Sequence, residues 1–340
     1  MRAAVYTHTG DPDVLTVIDK PLTEPAPGEV RVQLHYSGVN PTDWKARRGA
    51  EPGLPVEPAQ TPNHDGAGVV DAVGEGVDAA LLGQRVWTWE AAYQRPEGTA
   101  QQFANIPARQ VVALPEWAGF DLGACLGVPF LTAHRCLTVT DGGPDELSPG
   151  SLTGRYVLVA GGAGAVGNAA IQLAKWADAT VISTVSGPAK AQLAAAAGAD
   201  HVINYREQDV VAEVGKIAPD GVNAIVEVSP AANAEIDAAV LAVGGSVAIY
   251  ANDGGDSVAL PVRASMTPNA RWQFVLLYKV PHLAKVRSVN SVSAAVLSGA
   301  IRVGDEAGLP LHRYTLDEIA QAHQAVEDSV VGKVLIDLEV

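Results

Sequence analysis

Two patterns of hydrophobic and polar positions divide the chain. Up to about residue 128, short apolar runs alternate with turns rich in proline and glycine, which predicts a mainly β region. Strands are expected there at 2–6, 30–36, 68–73, 85–87 and 111–114. From about residue 129, apolar strands alternate with helical segments, a pattern typical of a parallel sheet wrapped by helices. The second region is therefore predicted to be an α/β domain.

The end of the chain changes the pattern again. Helical spacing between 283 and 328 precedes an apolar run at 332–337 that predicts a final strand. Because a terminal strand needs an existing sheet to join, we expect the tail to return to the N-terminal region. A discontinuous domain is therefore expected over 1–128 and 281–340, around a central domain over 129–280.

A glycine-rich loop begins the central domain. Gly162, Gly164 and Gly167 have the GxGxxG spacing, with Ala165 and Val166 between them. The motif is weak by itself, but an apolar strand enters this loop and an alanine-rich helix leaves it. In that setting the glycines let the backbone approach a pyrophosphate, which the helix N-terminus then binds. We expect these five residues to bind a dinucleotide; the alternative is a purely structural turn.

The end of the next strand bears on the choice of dinucleotide. Proteins that bind NAD place an acidic residue there, whereas residues 183–190 contain none. A carboxylate would repel a 2′-phosphate, while Ser186 can donate a hydrogen bond to it and Lys190 carries a positive charge. NADPH is therefore the expected cofactor. The alternative is that Ser186 is a turn or cap residue and Lys190 a solvated one.

The amino-acid composition limits the classes of binding partner and the cellular compartment that we expect for this protein. The chain has 38 acidic and 23 basic residues, and its net charge of −15 disfavours nucleic acid and anionic membranes. No apolar run approaches the roughly 18 residues of a membrane span, and no targeting signal opens the sequence. The two cysteines, Cys125 and Cys136, are too few for a disulfide framework. We expect a cytoplasmic protein with a small-molecule substrate.

Several segments together resemble one family. They are the run Ser37-Gly-Val-Asn-Pro-Thr-Asp43, the glycines after Asp65, the 128–133 segment, the glycine loop, and Val202-Ile-Asn-Tyr-Arg-Glu207. In these the chain resembles the zinc-free quinone oxidoreductases, the zeta-crystallin-like branch of the medium-chain dehydrogenase/reductase superfamily. The resemblance implies a Rossmann doubly wound parallel sheet beside a GroES-like, mainly β substrate domain.

The resemblance also implies roles for individual residues. Those expected at the adenosine 2′-phosphate are Lys190 and Tyr205. Those expected near the nicotinamide are Asn40, Thr132 and Tyr250. Lys333 lies on the strand expected to close over the cofactor.

The zinc-dependent alcohol dehydrogenases of the same superfamily carry metal ligands where this chain has Asn40, His64 and Val128. Asparagine and valine supply no thiolate, so no metal is expected. For His64 and Asp65 three interpretations stay open: a hydrogen-bonded structural pair, a substrate contact, or a metal site.

Without a Lewis acid, a conjugated acceptor is the natural substrate, because conjugation spreads the charge that hydride delivers. The expected reaction is direct hydride transfer from NADPH to a quinone or enone. Asn40 would orient the nicotinamide or the substrate. Thr42 is a candidate proton donor, with water as another source; alternatively, Thr42 forms a turn or cap with Asp43.

Two other functions compete with quinone reduction. One is an enoyl or enone reductase, and the other is a non-catalytic NADPH-binding redox sensor. The apolar segment 272–278 near the end of the sheet predicts a homodimer through edge pairing. The aromatic residues that could form a wall for a planar acceptor, or pack in the β-domain core, are Trp44, Trp87, Trp89 and Tyr93. Cys125 is either a reactive thiol or a small buried hydrophobe.

Overall fold

The computed structural model describes residues 1–338. Glu339 and Val340, the last two residues of the expected first domain, lie outside the described residues. The strands are β1 Arg2–His8, β2 Thr16–Asp19, β3 Glu29–Val39, β4 Pro55–Gln60, β5 Asp65–Val73, β6 Arg85–Thr88, β7 Phe103–Pro107, β8 Val111–Ala113, β9 Tyr156–Ala160, β10 Thr180–Val185, β11 His201–Asn204, β12 Val222–Glu227, β13 Leu241–Ile249, β14 Arg271–Phe274, β15 Leu311–Thr315 and β16 Lys333–Asp337. The helices are α1 Pro41–Arg48, α2 Phe120–Leu137, α3 Ala165–Trp176, α4 Pro188–Ala196, α5 Val210–Ile217, α6 Pro230–Val240, α7 Val262–Met266, α8 His282–Leu297 and α9 Ile319–Glu327. Within residues 1–338, no helix is both long and apolar enough to cross a membrane.

The chain divides into two compact units. The first comprises Met1–Val128 together with the chain from Leu311 onward, and the second is Pro129–Pro310. The sequence placed the second boundary at 280/281, ahead of α8, whereas the units divide at 310/311. The physical reason is the packing of α8, which contributes Ser288 and Ser291 to hydrogen bonds with the buried His134 of the second unit.

The second unit contains a six-stranded parallel sheet in the order β11-β10-β9-β12-β13-β14. This order reverses beside β9, as in a Rossmann fold, and the carboxyl ends of the strands at that point form the usual nucleotide crevice. Apolar residues such as Leu158, Ile182 and Ile225 form the buried core beside the sheet. The predicted doubly wound sheet is confirmed.

The first unit is mainly β, as predicted. A seven-stranded sheet runs β15-β16-β3-β5-β6-β8, with β7 also paired to β3, and a smaller sheet runs β2-β1-β4. The final strand β16 pairs with β3 in antiparallel fashion, which confirms the expected return of the tail. Val32, Leu34, Val334 and Ile336 pack together in the core of this unit, so apolar burial holds the terminal strand in place.

The register of three neighbouring strands brings polar residues to one end of this sheet. Val334 of β16 pairs with Val39 of β3, so Lys333 lies next to Asn40, the residue that follows β3. On the other side of β3, Gly38 pairs with Asp65 at the start of β5. Three polar side chains from distant parts of the sequence are thereby placed together.

Candidate functional site

The glycine loop lies between β9 and α3, at the carboxyl edge of the second unit's sheet. A Cβ atom on Gly162 would overlap with the Ser183 hydroxyl, and one on Gly167 would overlap with the Gly161 carbonyl. These two glycines are therefore required by the packing of strand against helix. Gly164 is different, because it is exposed and a Cβ there would meet its nearest neighbour, the Gly161 oxygen, at 3.5 Å.

Gly164 is also the N-cap of α3, and no side chain caps this end of the helix. The first-turn N–H groups of Ala165, Val166 and Gly167 are the donors that a helix leaves without an intrahelical partner. Packing within the fold does not require glycine at position 164, but a pyrophosphate that approaches the backbone closely would. The uncapped N–H groups that follow could then donate to that pyrophosphate. The loop thus has the chemistry that a dinucleotide requires.

Ser186, Lys190 and Tyr205 lie at the same edge of the sheet. Val185 of β10 pairs with Asn204 of β11, so the residues that follow these two strands are neighbours. Tyr205 and Lys190 are exposed and Ser186 is half-buried. Lys190 lies in the first turn of α4, where a positive charge opposes the helix dipole. An anion bound at this edge would offset the unfavourable placement of the Lys190 charge.

Two of the three residues expected near the nicotinamide are also in the second unit. Thr132 is buried on α2, and Tyr250 directly follows β13. The backbone N–H of Tyr250 donates to the Glu227 carbonyl, which holds Tyr250 beside the end of β12. Burial raises the pKa of the Tyr250 phenol well above its usual value, so this side chain is neutral.

In the first unit, Asn40 is the centre of a buried polar cluster. The Lys333 ammonium donates to its Oδ1 atom at 2.6 Å, and its Nδ2 atom donates to Asp65 Oδ2 at 2.8 Å. The Lys333 Nζ atom lies 3.4 Å from the same Asp65 oxygen. The second Asp65 oxygen accepts the backbone N–H of Val128 at 2.9 Å. Asn40 and Lys333 are each 2% exposed and Asp65 is fully buried.

Asp43 and His64 lie beside this cluster. Burial and the neighbouring Asp65 raise the pKa of Asp43 well above its usual value. Burial lowers the pKa of His64 to about 4, so the imidazole is neutral at physiological pH. The His64 Nε2 atom lies 3.8 Å from Asp43 Oδ1. In the part of the chain that the structure describes, no three His, Cys, Asp or Glu side chains are grouped to hold a metal.

Thr42 is half-buried in the first turn of α1. The carboxylate of Asp43 accepts the Asn40 backbone N–H at 2.6 Å and so satisfies the start of this helix. The N-terminus of α1 is therefore capped through Asp43, and the Thr42 hydroxyl is not needed for that purpose.

Sequence reasoning missed a chain of buried hydrogen bonds behind Asp65. His323 Nε2 contacts Asn63 Oδ1 at 3.1 Å, and Asn63 Nδ2 donates to the Ser37 hydroxyl at 2.9 Å. Ser37 and Thr99 share a hydrogen bond of 2.8 Å, and Thr99 donates to the Asp65 carbonyl at 2.6 Å. Because these residues are widely separated along the chain, no local motif could have revealed the network.

The remaining candidates, four aromatic residues and Cys125, are buried or half-buried side chains. Trp87 and Trp89 are buried in the core, whereas Trp44 and Tyr93 are half-buried. Cys125 is buried, and burial raises the pKa of its thiol to about 12, which makes it a poor nucleophile.

Two family models match the chain. Residues 26–116 match the alcohol dehydrogenase GroES-like domain, and residues 165–289 match the zinc-binding dehydrogenase family. The first match lies within the first unit and includes Asn40 and His64, and the second lies within the second unit.

Full-length relatives and solved structures cover nearly all of the chain. Quinone oxidoreductase of Lama guanicoe is 30% identical, over 100% of this chain and 98% of that protein. The crystal structure of Escherichia coli quinone oxidoreductase complexed with NADPH has a TM-score of 0.80 at 26% identity, covering 99% and 100%. An NAD-dependent alcohol dehydrogenase structure has a TM-score of 0.83 at 28% identity, covering 100% of both chains.

Proposed function

Because this chain belongs to the quinone oxidoreductase family of the medium-chain dehydrogenase/reductase superfamily, we propose that it is an NADPH-dependent quinone oxidoreductase. The observation that carries this proposal is the edge of the sheet that holds Ser186, Lys190 and Tyr205. It has no acidic residue between 183 and 190, and it lies beside the glycine loop and the uncapped N-terminus of α3. A fold shared with both NADPH-dependent and NAD-dependent enzymes does not choose between the two cofactors. The residues at this edge favour NADPH.

NADPH supplies a hydride when it is bound, and the chain's own residues bind and orient it. The N–H donors that follow Gly164 would hold the pyrophosphate. Lys190 would form a charge-assisted hydrogen bond with the 2′-phosphate, and Ser186 and Tyr205 would donate neutral ones. Thr132 and Tyr250 would contact the nicotinamide end.

On the acceptor side, Asn40 and Thr42 are the proposed catalytic residues. The Asn40 amide orients the nicotinamide or the acceptor, and Thr42 delivers a proton to the reduced oxygen, with water as an alternative source. We propose that no zinc takes part, because the Asn40 amide is already bonded to Lys333 and Asp65, and Val128 offers no ligand. A quinone or related conjugated carbonyl suits such a site, since it needs positioning more than a Lewis acid.

The experiment that tests this function follows NADPH absorbance in the presence of a panel of quinones and enones. We expect NADPH oxidation with quinones, weaker oxidation with NADH, and equal rates with and without a chelator. Oxidation of NADPH by none of the acceptors would overturn the catalytic proposal. A rate that disappears with chelator would overturn the zinc-free mechanism alone.

We also propose a homodimer formed through β14, which is an edge strand of the second unit's sheet. The strand is shorter than expected and ends at Phe274; the backbone at Leu277–Lys279 then forms a 3₁₀ turn. Phe274 and Leu276 are 61% and 58% exposed, which leaves an apolar edge open to pairing. Light scattering should give a dimer for the unmodified chain and a monomer for Phe274→Glu. A monomeric unmodified protein would contradict this.

The cytoplasm is the compartment that we propose. Cys125 and Cys136 are both free thiols buried in the fold, as is usual for proteins of reducing compartments. Cell fractionation tests this assignment.

A further inference from the structure

We propose that Lys333 and Asp65 are positioning residues that hold the Asn40 amide in one orientation for hydride transfer. The proposal rests on the proposed function, because Asn40 is a candidate catalytic residue only in that reaction. It differs from the role that the family resemblance implied for Lys333, which was contact with the cofactor.

The hydrogen bonds allow only one orientation of the amide. An ammonium group only donates, so Lys333 must face the Asn40 oxygen, at 2.6 Å. An ionised carboxylate only accepts, so Asp65 must face the Asn40 nitrogen, at 2.8 Å. Rotating the amide by half a turn would place its N–H groups against the ammonium and its oxygen against the carboxylate. The two charges therefore fix which end of the amide dipole points in each direction.

Three hydrogen-bond donors contact the Asp65 carboxyl and favour the ionised form that this arrangement needs. Its two oxygens accept from the Asn40 amide, the Val128 backbone N–H and the Lys333 ammonium. Burial raises the pKa of Asp65, and the Lys333 ammonium, the Asn40 amide and the Val128 N–H oppose that rise by favouring the ionised carboxylate.

The fold makes room for both charged side chains. A Cβ atom on Gly38 would overlap with the Ala124 carbonyl and would lie 3.1 Å from Lys333 Cε. A Cβ atom on Gly127 would overlap with the Asp65 carboxylate. Two glycines on different elements thus leave the space that the Lys333 and Asp65 side chains occupy.

A gain in folding stability is a weak explanation for the presence of the buried Lys333–Asp65 ion pair. Removing two charges from water costs about as much as their attraction returns, and apolar residues of similar volume often replace such pairs without loss. Lys333 is 2% exposed, and its ammonium is bonded within the first unit. These facts favour a role in orienting Asn40 over a role in binding a phosphate.

The first arm of the test is steady-state kinetics of three variants: Lys333→Met, Asp65→Asn, and the double variant. Each single change leaves an unbalanced buried group, so a single variant could fail to fold; the double variant removes both charges and keeps the experiment decisive. We expect kcat with a quinone to fall by up to about 10²-fold, the scale of loss for a misplaced reacting group. The NADPH dissociation constant, measured by fluorescence, should stay within about twofold, because the phosphate-binding residues are intact.

The second arm needs no turnover. In the protein without cofactor, hydrogen exchange of the Asn40 side-chain amide is followed by NMR, with Asn40→Ala identifying its signals. Exchange should be slow in the unmodified chain and faster in the double variant, because the amide has lost the Lys333 ammonium and faces a neutral side chain at position 65 in place of the carboxylate.

Arg31→Met is the matched control. Arg31 and Asp71 form another ion pair between β3 and β5, with Arg31 Nε 2.9 Å from Asp71 Oδ1. This change should lower stability and leave kcat and Asn40 exchange as they were.

Three results would overturn the proposal. They are an unchanged kcat in the double variant, weaker NADPH binding with kcat retained, and unchanged Asn40 exchange. If the unmodified chain oxidises no NADPH, the proposed function fails separately, and the exchange arm still decides whether Lys333 and Asp65 orient the amide.

Discussion

The glycine loop and the Asn40 cluster achieve precise placement by different means. The loop uses backbone: its donors are main-chain N–H groups, and Gly162 and Gly167 are required by close packing. All of it comes from one stretch of fewer than ten residues, between β9 and the first turn of α3. The Asn40 cluster uses charged and polar side chains, and its members Asn40 and Lys333 are separated by 293 positions.

This difference explains why the two regions should respond differently to change. A backbone site depends on space and is insensitive to the protonation of side chains. A cluster of buried charges depends on protonation states, because an unpaired buried charge is costly. Three perturbations test this contrast.

The largest expected effect is acid destabilisation through His323, which belongs to the hydrogen-bonded network behind Asp65. Burial and the nearby Arg47 lower the pKa of His323 to about 3 in the folded state, below the usual 6.5. Between those values the unfolded chain binds a proton that the folded chain does not, so stability falls as the pH falls. The loss approaches about 1.4 kcal/mol per pH unit below pH 6.5 and amounts to about 2 kcal/mol from pH 6.5 to 4.5.

Urea denaturation across this pH range measures the effect as a difference between variants. In His323→Gln, which keeps a donor for Asn63, the contribution of this histidine to the pH dependence should be absent. His201→Gln, a change at an exposed histidine of the second unit, should follow the unmodified chain. Parallel curves for the unmodified chain and His323→Gln would refute the assignment of a neutral, buried imidazole.

A smaller effect is expected from Gly167→Ala, which tests the backbone site. The added methyl would overlap with the Gly161 carbonyl, so the loop must shift. Overpacking of this kind costs about 1–3 kcal/mol of stability, and NADPH affinity should fall with it. Thermal unfolding and cofactor fluorescence measure the two quantities.

Gly215→Ala is the matched control for that change. Gly215 lies inside α5, where a Cβ would meet nothing within 4 Å. Because alanine is the better helix former, this variant should gain up to about 1 kcal/mol and bind NADPH as before. Equal behaviour of the two variants would remove the special requirement for glycine at 167.

The smallest effect is expected from Lys190→Ala. Loss of one charge-assisted hydrogen bond at an exposed site should raise the Michaelis constant for NADPH by about tenfold and leave that for NADH unchanged. Lys216→Ala, which removes an exposed lysine of α5, should change neither constant. Equal increases for the two cofactors would show that Lys190 does not recognise the 2′-phosphate.

Most of the fold could be predicted from local patterns. The alternation of strands and helices predicted the parallel sheet, and the apolar run before the C-terminus predicted β16. The boundary at 280/281 differed from the structure because helical spacing does not show which unit a helix joins. The surroundings of α8 decide that through Ser288, Ser291 and His134. Burial likewise placed Trp87 and Trp89 in the core, which the sequence had left open.

Local sequence is enough to predict the α/β class, the glycine loop and the absence of acid beside Lys190, because each depends on residues close together in the chain. The surroundings of Asn40 depend instead on contacts between distant segments. Strand register aligns β16, β3 and β5 so that Lys333 and Asp65 meet the same amide, and register follows from the burial of one apolar face. Pairing between strands far apart in sequence is cooperative, and no single segment encodes it.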